Sequence, residues 1–265
     1  MIIDTHVHFY EPALGDFAWP EKGGEFYRPF TPDMLAREAG EALTGCVLIG
    51  CSDEETLNLR LLDYTKDTPL VGAYIAQIDL SDPRCKELTG RYAAFPKYRG
   101  FRVYAPAALP FADRLPECVL PGTVVELLAP WPGGEGWRDF IAAHPEIPFI
   151  IQHFGGIPFT GAPVPEAYLS FLRDFAALPN VFIKLSGFFT LCQASPRTPD
   201  AEFYRGIWSA AMKAFGPHRC LYGSDWPVSR MPYPACIGVA STLCGEAAPQ
   251  ILCENACCLY RLPTD

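Results

Sequence analysis

The stretch Ile2-Ile3-Asp4-Thr5-His6-Val7-His8 decides how this chain is read. It is short, apolar and rich in β-branched residues, and it ends on two histidines one residue apart. Side chains alternate along a strand, so His6 and His8 leave it on the same face, about 7 Å apart. Two imidazoles on one face can share a metal ion or polarise one carbonyl. As packing alone they would be costly, because each buried imidazole needs hydrogen-bond partners.

Seven further runs of the same kind follow: Gly45–Gly50, Leu70–Ile78, Tyr98–Tyr104, Thr123–Leu128, Pro148–His153, Asn180–Ser186 and Arg219–Asp225. Successive runs begin 25 to 43 residues apart, which is about the length of a strand plus its returning helix. The segments between them carry helix-start signals. Thr31 stands before Pro32, Ser52 to Glu55 reads as a capping box, and Asp82 stands before Pro83. Further helices are expected over 135–144, 165–178, 199–215 and 246–260, while 105–122, with four prolines, supports only a short one. Eight strands alternating with helices in 265 residues give an α/β protein, a (β/α)8 TIM barrel, read as a single domain over 1–265. A doubly wound sheet is the runner-up, but no GxGxxG follows the first strand.

The composition narrows the partners. Net charge is −9, from 21 basic and 30 acidic residues, with no basic run. Neither nucleic acid nor a membrane surface is expected as a partner, and a small-molecule substrate is. Whether the chain is a monomer or a homo-oligomer stays open. The eleven cysteines lack a CxxC…CxxC pattern and read as apolar filler. The segment MIIDTHVH carries a charge at its fourth residue and no long apolar run, so a cytoplasmic compartment is expected.

Barrel enzymes build their sites at strand C-termini. The sixth run ends on His153 and the eighth on Asp225, so three histidines and one carboxylate converge on one end of the expected lumen. His144 and His218 fall beside a helix end and in a loop, and read as ordinary. Alternation also aims Arg102 and Tyr104 inward from the fourth strand, and Lys184 and Ser186 from the seventh. Arg102 suits a substrate carboxylate. Lys184 suits the same task or a pairing with Glu126. Trp226, next to Asp225, is placed with the substrate-facing set. Arg230 has a weaker case, and the loop Phe9–Phe30, with Phe17, Trp19, Phe26 and Tyr27, is either a pocket wall or a packed rim.

His6-Val-His8, the run Gln152-His-Phe-Gly-Gly156 and the run Tyr222-Gly-Ser-Asp-Trp-Pro227 resemble the amidohydrolase superfamily, in particular its amidohydrolase 2 branch. Asn180–Gly187 and Glu254-Asn-Ala256 are similar too. Within that branch the motifs look most like the 2-pyrone-4,6-dicarboxylate lactonases and the sugar-acid lactonases. The resemblance implies a hydrolase that opens a lactone. Asp225 would be the general base on water, with His6, His8 and His153 polarising the carbonyl. It also implies an alternative, a zinc-dependent decarboxylase of an aromatic or conjugated acid. In metal-using relatives the same four groups hold a divalent ion, usually zinc, whereas the dicarboxylate lactonases resemble a metal-free case; both remain compatible here. The chain departs from a binuclear pattern. No lysine lies inside the fourth strand, Lys97 precedes it, and a further histidine is missing. Glu126 on the fifth strand is then a candidate ligand beside His6, His8, His153 and Asp225.

Overall fold

The computed structural model describes residues 1–15, 19–188, 190–192, 200–229 and 231–263. Eight strands lie in chain order in one sheet: β1 (Ile2–Val7), β2 (Leu43–Ile49), β3 (Val71–Gln77), β4 (Tyr98–Tyr104), β5 (Val124–Leu128), β6 (Phe149–Ile151), β7 (Val181–Leu185) and β8 (Cys220–Tyr222). Every neighbouring pair is parallel. The circuit returns to β1 just past β8, where Val7 bridges Trp226, the Asp225 N–H donates to the His6 carbonyl at 2.9 Å, and the His8 N–H donates to the Trp226 carbonyl at 2.8 Å. This is the expected (β/α)8 TIM barrel, nearly closed.

The helices are α1 (Pro32–Ala39), α2 (Glu55–Thr65), α3 (Cys85–Tyr92), α4 (Ala105–Ala108), α5 (Leu115–Cys118), α6 (Glu135–Ala143), α7 (Glu166–Ala176), α8 (Ala201–Phe215), α9 (Tyr233–Cys244) and α10 (Asn255–Tyr260). Thr31 caps α1 as its position suggests, accepting from the Met34 N–H. The Ser52 capping box does not form. Ser52 Oγ accepts from the Glu54 N–H inside the preceding turn, and α2 starts at Glu55. Asp82 likewise turns the chain by accepting from Arg84, and α3 starts at Cys85. The expected helix over 246–260 forms from 248 onward, with a π-helical turn at Gln250–Glu254 inside it before α10. Periodicity does not announce α9, because small and apolar residues surround it with no single apolar stripe.

Alternate strand residues divide between two clusters. Ile3, Val47, Ile49, Ala73, Ile75, Val124, Ile150 and Leu221 fill the lumen, closed by Cys253, Ala256 and Tyr260 from the C-terminal turns. Val103, Val125, Leu127, Ile151, Ile183 and Leu185 face outward into a helix layer that includes Trp137, Phe171, Phe175 and Trp208. All eleven cysteines are free thiols and nine are buried, which is the packing expected of small apolar side chains. Among the described residues no single helix is long and apolar enough to cross a membrane.

One irregularity positions the site. Asp4 pairs with Cys46 and Val7 with Leu48, so Thr5 and His6 together stand against Val47 alone. That is a β-bulge, which re-aims side chains and bends the strand. Strict alternation would put Asp4 on the same face as His6 and His8. The bulge instead lets the Asp4 carboxylate accept from backbone N–H groups of His6 and Ser224, each at 3.0 Å.

Candidate active site

The residues that end β1, β6 and β8 meet over the inner cluster. His6 Nε2 lies 3.2 Å from His8 Nε2. Asp225 Oδ1 lies 3.6 Å from His6 Nε2 and 3.5 Å from His8 Nε2. The His153 ring stands 4.3 Å from that of His6, centroid to centroid. All four residues are buried. The structure therefore brings together the three strand-end histidines and the strand-end aspartate, and leaves His144 and His218 outside.

Backbone geometry aims two of them. His153 has φ +50° and Asp225 has φ +62°, a left-handed conformation that costs a non-glycine residue roughly 1–2 kcal/mol. Such strain is concentrated where a site over-determines it. Gly187 makes room for His153. It has φ +75°, and a Cβ there would lie 2.9 Å from His153 Nδ1.

Hydrogen bonds fix the rings. His8 Nδ1 is 2.9 Å from the Ile49 carbonyl, which can only accept, so Nδ1 carries the proton. In the neutral ring Nε2 is then a bare lone pair facing the centre. His153 Nδ1 is 2.9 Å from Ser186 Oγ, so Ser186 points into the lumen as alternation expects and holds a ring. Among the described residues His6 Nδ1 has no hydrogen-bond partner. Burial holds the His6 imidazole well below its usual range, helped by His153 and Lys184. Burial also lowers His153, to about 4, with Asp225 opposing. Burial pushes the Asp225 carboxyl up, but His153, His8 and Thr190 together more than offset this, and it ends below its ordinary value. Thr190 Oγ1 donates to Asp225 Oδ2.

The donor set fits a single divalent ion. Ligand atoms of His6, His153 and Asp225 all lie within 4.8 Å of one another. The 3.2 Å between the Nε2 atoms of His6 and His8 is close to the ligand-to-ligand edge of a tetrahedral zinc site, ~3.3 Å for Zn–N bonds of ~2.0–2.1 Å. Two imidazoles also have the outer ring contact that orients metal-ligating histidines.

Glu126 does not join this set. Its Oε2 accepts from Lys184 Nζ at 2.6 Å and from Gln152 Nε2 at 2.5 Å, and its Oε1 from Tyr260 Oη at 2.7 Å. Three donors hold its two oxygens, and Glu126 is not in the group His6, His153 and Asp225 whose ligand atoms converge. Lys184 is spent in the same pair and on the Thr5 carbonyl, 2.6 Å away, so its place is a buried structural pair and not a free substrate cation. Trp226 is also displaced from its expected role. It packs against Phe9 and Phe30 and gives its Nε1–H to Glu38 of α1, so the indole belongs to the outer shell. Tyr104 ends β4 at the rim and is 53% exposed.

Arg102 stays a site candidate. It is 7% exposed, donates from Nη2 to Gln77 Oε1 at 3.0 Å, and its Nε has no partner among the described residues. Burial lowers its pKa, with Cys51 and Glu126 opposing. Trp19 comes within 5.7 Å of the His8 ring, centroid to centroid, and Phe26 packs on Trp19, so part of the Phe9–Phe30 loop does wall the site. Phe17 and Arg230 lie outside the described residues. Sequence reasoning missed Thr190, a loop residue with no pattern around it. It also missed Asp4, whose position two residues before His6 was a visible signal.

Comparison with known proteins agrees with this geometry. The amidohydrolase family model matches residues 137–262, which include His153 and Asp225. The chain is 29% identical to the L-fucono-1,5-lactonase of Burkholderia ambifaria, over 98% of this chain and 95% of that protein. It is 27% identical to the L-fucono-1,5-lactonase of Burkholderia multivorans, over 85% and 82%. A crystal structure of an amidohydrolase from Burkholderia multivorans with bound zinc superposes with a TM-score of 0.82 at 26% identity, over 99% of this chain and 100% of that one. With its nearly closed eight-stranded barrel and its strand-end histidines and aspartate, the chain is similar over most of its length to two L-fucono-1,5-lactonases and matches the amidohydrolase family model across its C-terminal half.

Proposed function

We propose that the chain hydrolyses a cyclic ester of a small carboxylated or polyhydroxy acid. The observation that carries this is the approach of Asp225 Oδ1 to Nε2 of both His6 and His8, at 3.6 and 3.5 Å, in a buried lumen. The likeness to two L-fucono-1,5-lactonases supports a lactone as the substrate class.

In this reading Asp225 is the general base. It is ionised at neutral pH, and Thr190 on Oδ2 leaves Oδ1 facing the imidazoles. Oδ1 takes a proton from water as the water oxygen bonds to the lactone carbonyl carbon. Charge develops on the carbonyl oxygen, and a protonated ring nitrogen of His6 or His153 is what stabilises it, since His8 Nε2 carries no proton. The ring C–O bond then breaks, and the proton held on Asp225 passes to the leaving ring oxygen. In the same reading Arg102, whose buried Nε has no partner among the described residues, binds a carboxylate or hydroxyl of the substrate. His6, His8, His153 and Asp225 are the residues that would hold a divalent ion, which when bound supplies Lewis-acid polarisation of the carbonyl.

The test is a panel of sugar-acid and carboxylated lactones, followed by acid release. Wild-type protein opens at least one, and Asp225→Asn is slower by roughly 10²–10⁴-fold. Equal turnover by Asp225→Asn removes Asp225 from the role of base. Carbon dioxide release from aromatic acids, with no lactone opened, replaces the reaction class with decarboxylation.

A further inference from the structure

The bulge in β1 takes the peptide group between Thr5 and His6 out of the sheet ladder. A buried peptide group needs partners for both polar ends. Here each end is met by a charged side chain. The Thr5 carbonyl accepts from Lys184 Nζ at 2.6 Å, and the His6 N–H donates to Asp4 Oδ1 at 3.0 Å. One peptide is thus gripped at its oxygen by a cation and at its nitrogen by a carboxylate.

Neither grip is isolated. Asp4 Oδ1 also accepts from the Ser224 N–H at 3.0 Å, one residue before Asp225, and the Asp225 N–H closes the loop on the His6 carbonyl at 2.9 Å. Asp4 therefore ties the backbone that carries His6 to the backbone that carries Asp225. Lys184 is anchored by Glu126, and Glu126 by Gln152 and by Tyr260 of α10. Asp4 and Lys184 are both fully buried, at 0% exposure, and neither makes a hydrogen bond to the imidazoles.

We infer that Asp4 and Lys184 are positioning residues that act through the Thr5–His6 peptide and set where the His6 imidazole stands relative to Asp225. Their role in turnover rests on the proposed hydrolysis, but the placement of His6 does not. The first readout is therefore independent of any substrate.

Protein labelled with nitrogen-15 at histidine gives ring resonances for His6, His8, His144, His153 and His218. Three variants are compared by these spectra: Asp4→Leu, which removes the acceptor; Asp4→Asn, which keeps an oxygen for both N–H groups; and the double variant Glu126→Gln/Lys184→Met, which removes the Thr5 donor without stranding a buried charge. Expected are displaced His6 ring signals in Asp4→Leu and in the double variant, with His144 and His218 unmoved, and near wild-type signals in Asp4→Asn. If Asp4→Leu does not fold, the double variant decides the matter. Unmoved His6 signals in a folded Asp4→Leu or double variant overturn the inference.

With a substrate in hand, the same two disruptive variants lose roughly 10–100-fold in kcat with KM little changed, and Asp4→Asn recovers most of the rate. A loss confined to thermal stability, with kcat intact, also overturns it. Failure of the wild type on every lactone counts against the hydrolysis reading and leaves the ring spectra to judge the placement.

Discussion

Thr190 and Asp225 are joined at the barrel mouth by a hydroxyl-to-carboxylate hydrogen bond, with Thr190 Oγ1 donating to Oδ2. The other carboxylate oxygen is the one that faces His6 and His8. A residue of the loop after β7 thereby decides which lone pairs of Asp225 are free.

That bond favours the ionised carboxylate and helps hold Asp225 below its ordinary pKa, against the upward push of burial. Thr190→Val removes the donor, so the Asp225 pKa rises. A base must be deprotonated to act, so the acid limb of kcat/KM against pH moves to higher pH. Thr190→Ser, which keeps the hydroxyl, leaves the limb in place. Identical acid limbs in wild type and Thr190→Val would refute the role given to this hydroxyl.

Stability of the metal-free protein should rise with pH between about 4 and 6.5. His153 titrates near 4 when folded and near 6.5 when unfolded. Within that window the unfolded chain binds a proton that the folded chain does not, which favours folding as pH rises, by on the order of 3 kcal/mol at most. The lowered His6 adds in the same sense. Asp4 opposes. Burial raises it to about 6, so between its unfolded value near 3.8 and 6 the folded chain holds a proton that the unfolded chain has released. His153→Asn should flatten the rise and Asp4→Asn should steepen it, as read from urea midpoints across the window. The reverse order of slopes contradicts the assignment.

Lys184→Met alone leaves the Glu126 charge buried without its cation. Breaking such a pair costs about 3–5 kcal/mol. The double variant Glu126→Gln/Lys184→Met should recover most of the lost melting temperature. If the single substitution is as stable as the double, the pair is not what satisfies Glu126.

Protein purified without chelator should carry about one zinc or similar divalent ion per chain by elemental analysis, given the four convergent donors. His153→Asn/Asp225→Asn should carry almost none, while Glu126→Gln/Lys184→Met keeps its metal. Metal retained by the first and lost by the second would move the ligand set to Glu126.

Much of this was legible beforehand. The strands are buried runs bounded by helix starts, so their order and number could be read directly. His6 and His8 share parity, and His153 and Asp225 sit where strands end, so their convergence follows from strand geometry. What escaped depends on departures from regularity. The bulge at Thr5–His6 is a slip of register that no pattern of side chains announces, and it is what turns Asp4 away from the histidines. Trp226 looked like a pocket residue because of its neighbour Asp225, but an acceptor on Glu38 of α1, far off in sequence, draws its indole outward. Glu126 had the right strand and parity for a ligand, and only the presence of three donors around it shows that it is taken. Thr190 could not be found at all from a loop sequence.

The left-handed backbone at His153 and Asp225 restricts which substitutions report on chemistry alone. Asparagine tolerates that conformation better than alanine or any branched residue. Asp225→Asn and His153→Asn therefore exchange a side-chain property on an unchanged main chain. Asp225→Ala and His153→Val would also change the cost of the turn, and their lost activity would mix two causes. At these two positions the informative experimental alphabet is short, and it is the backbone that writes it.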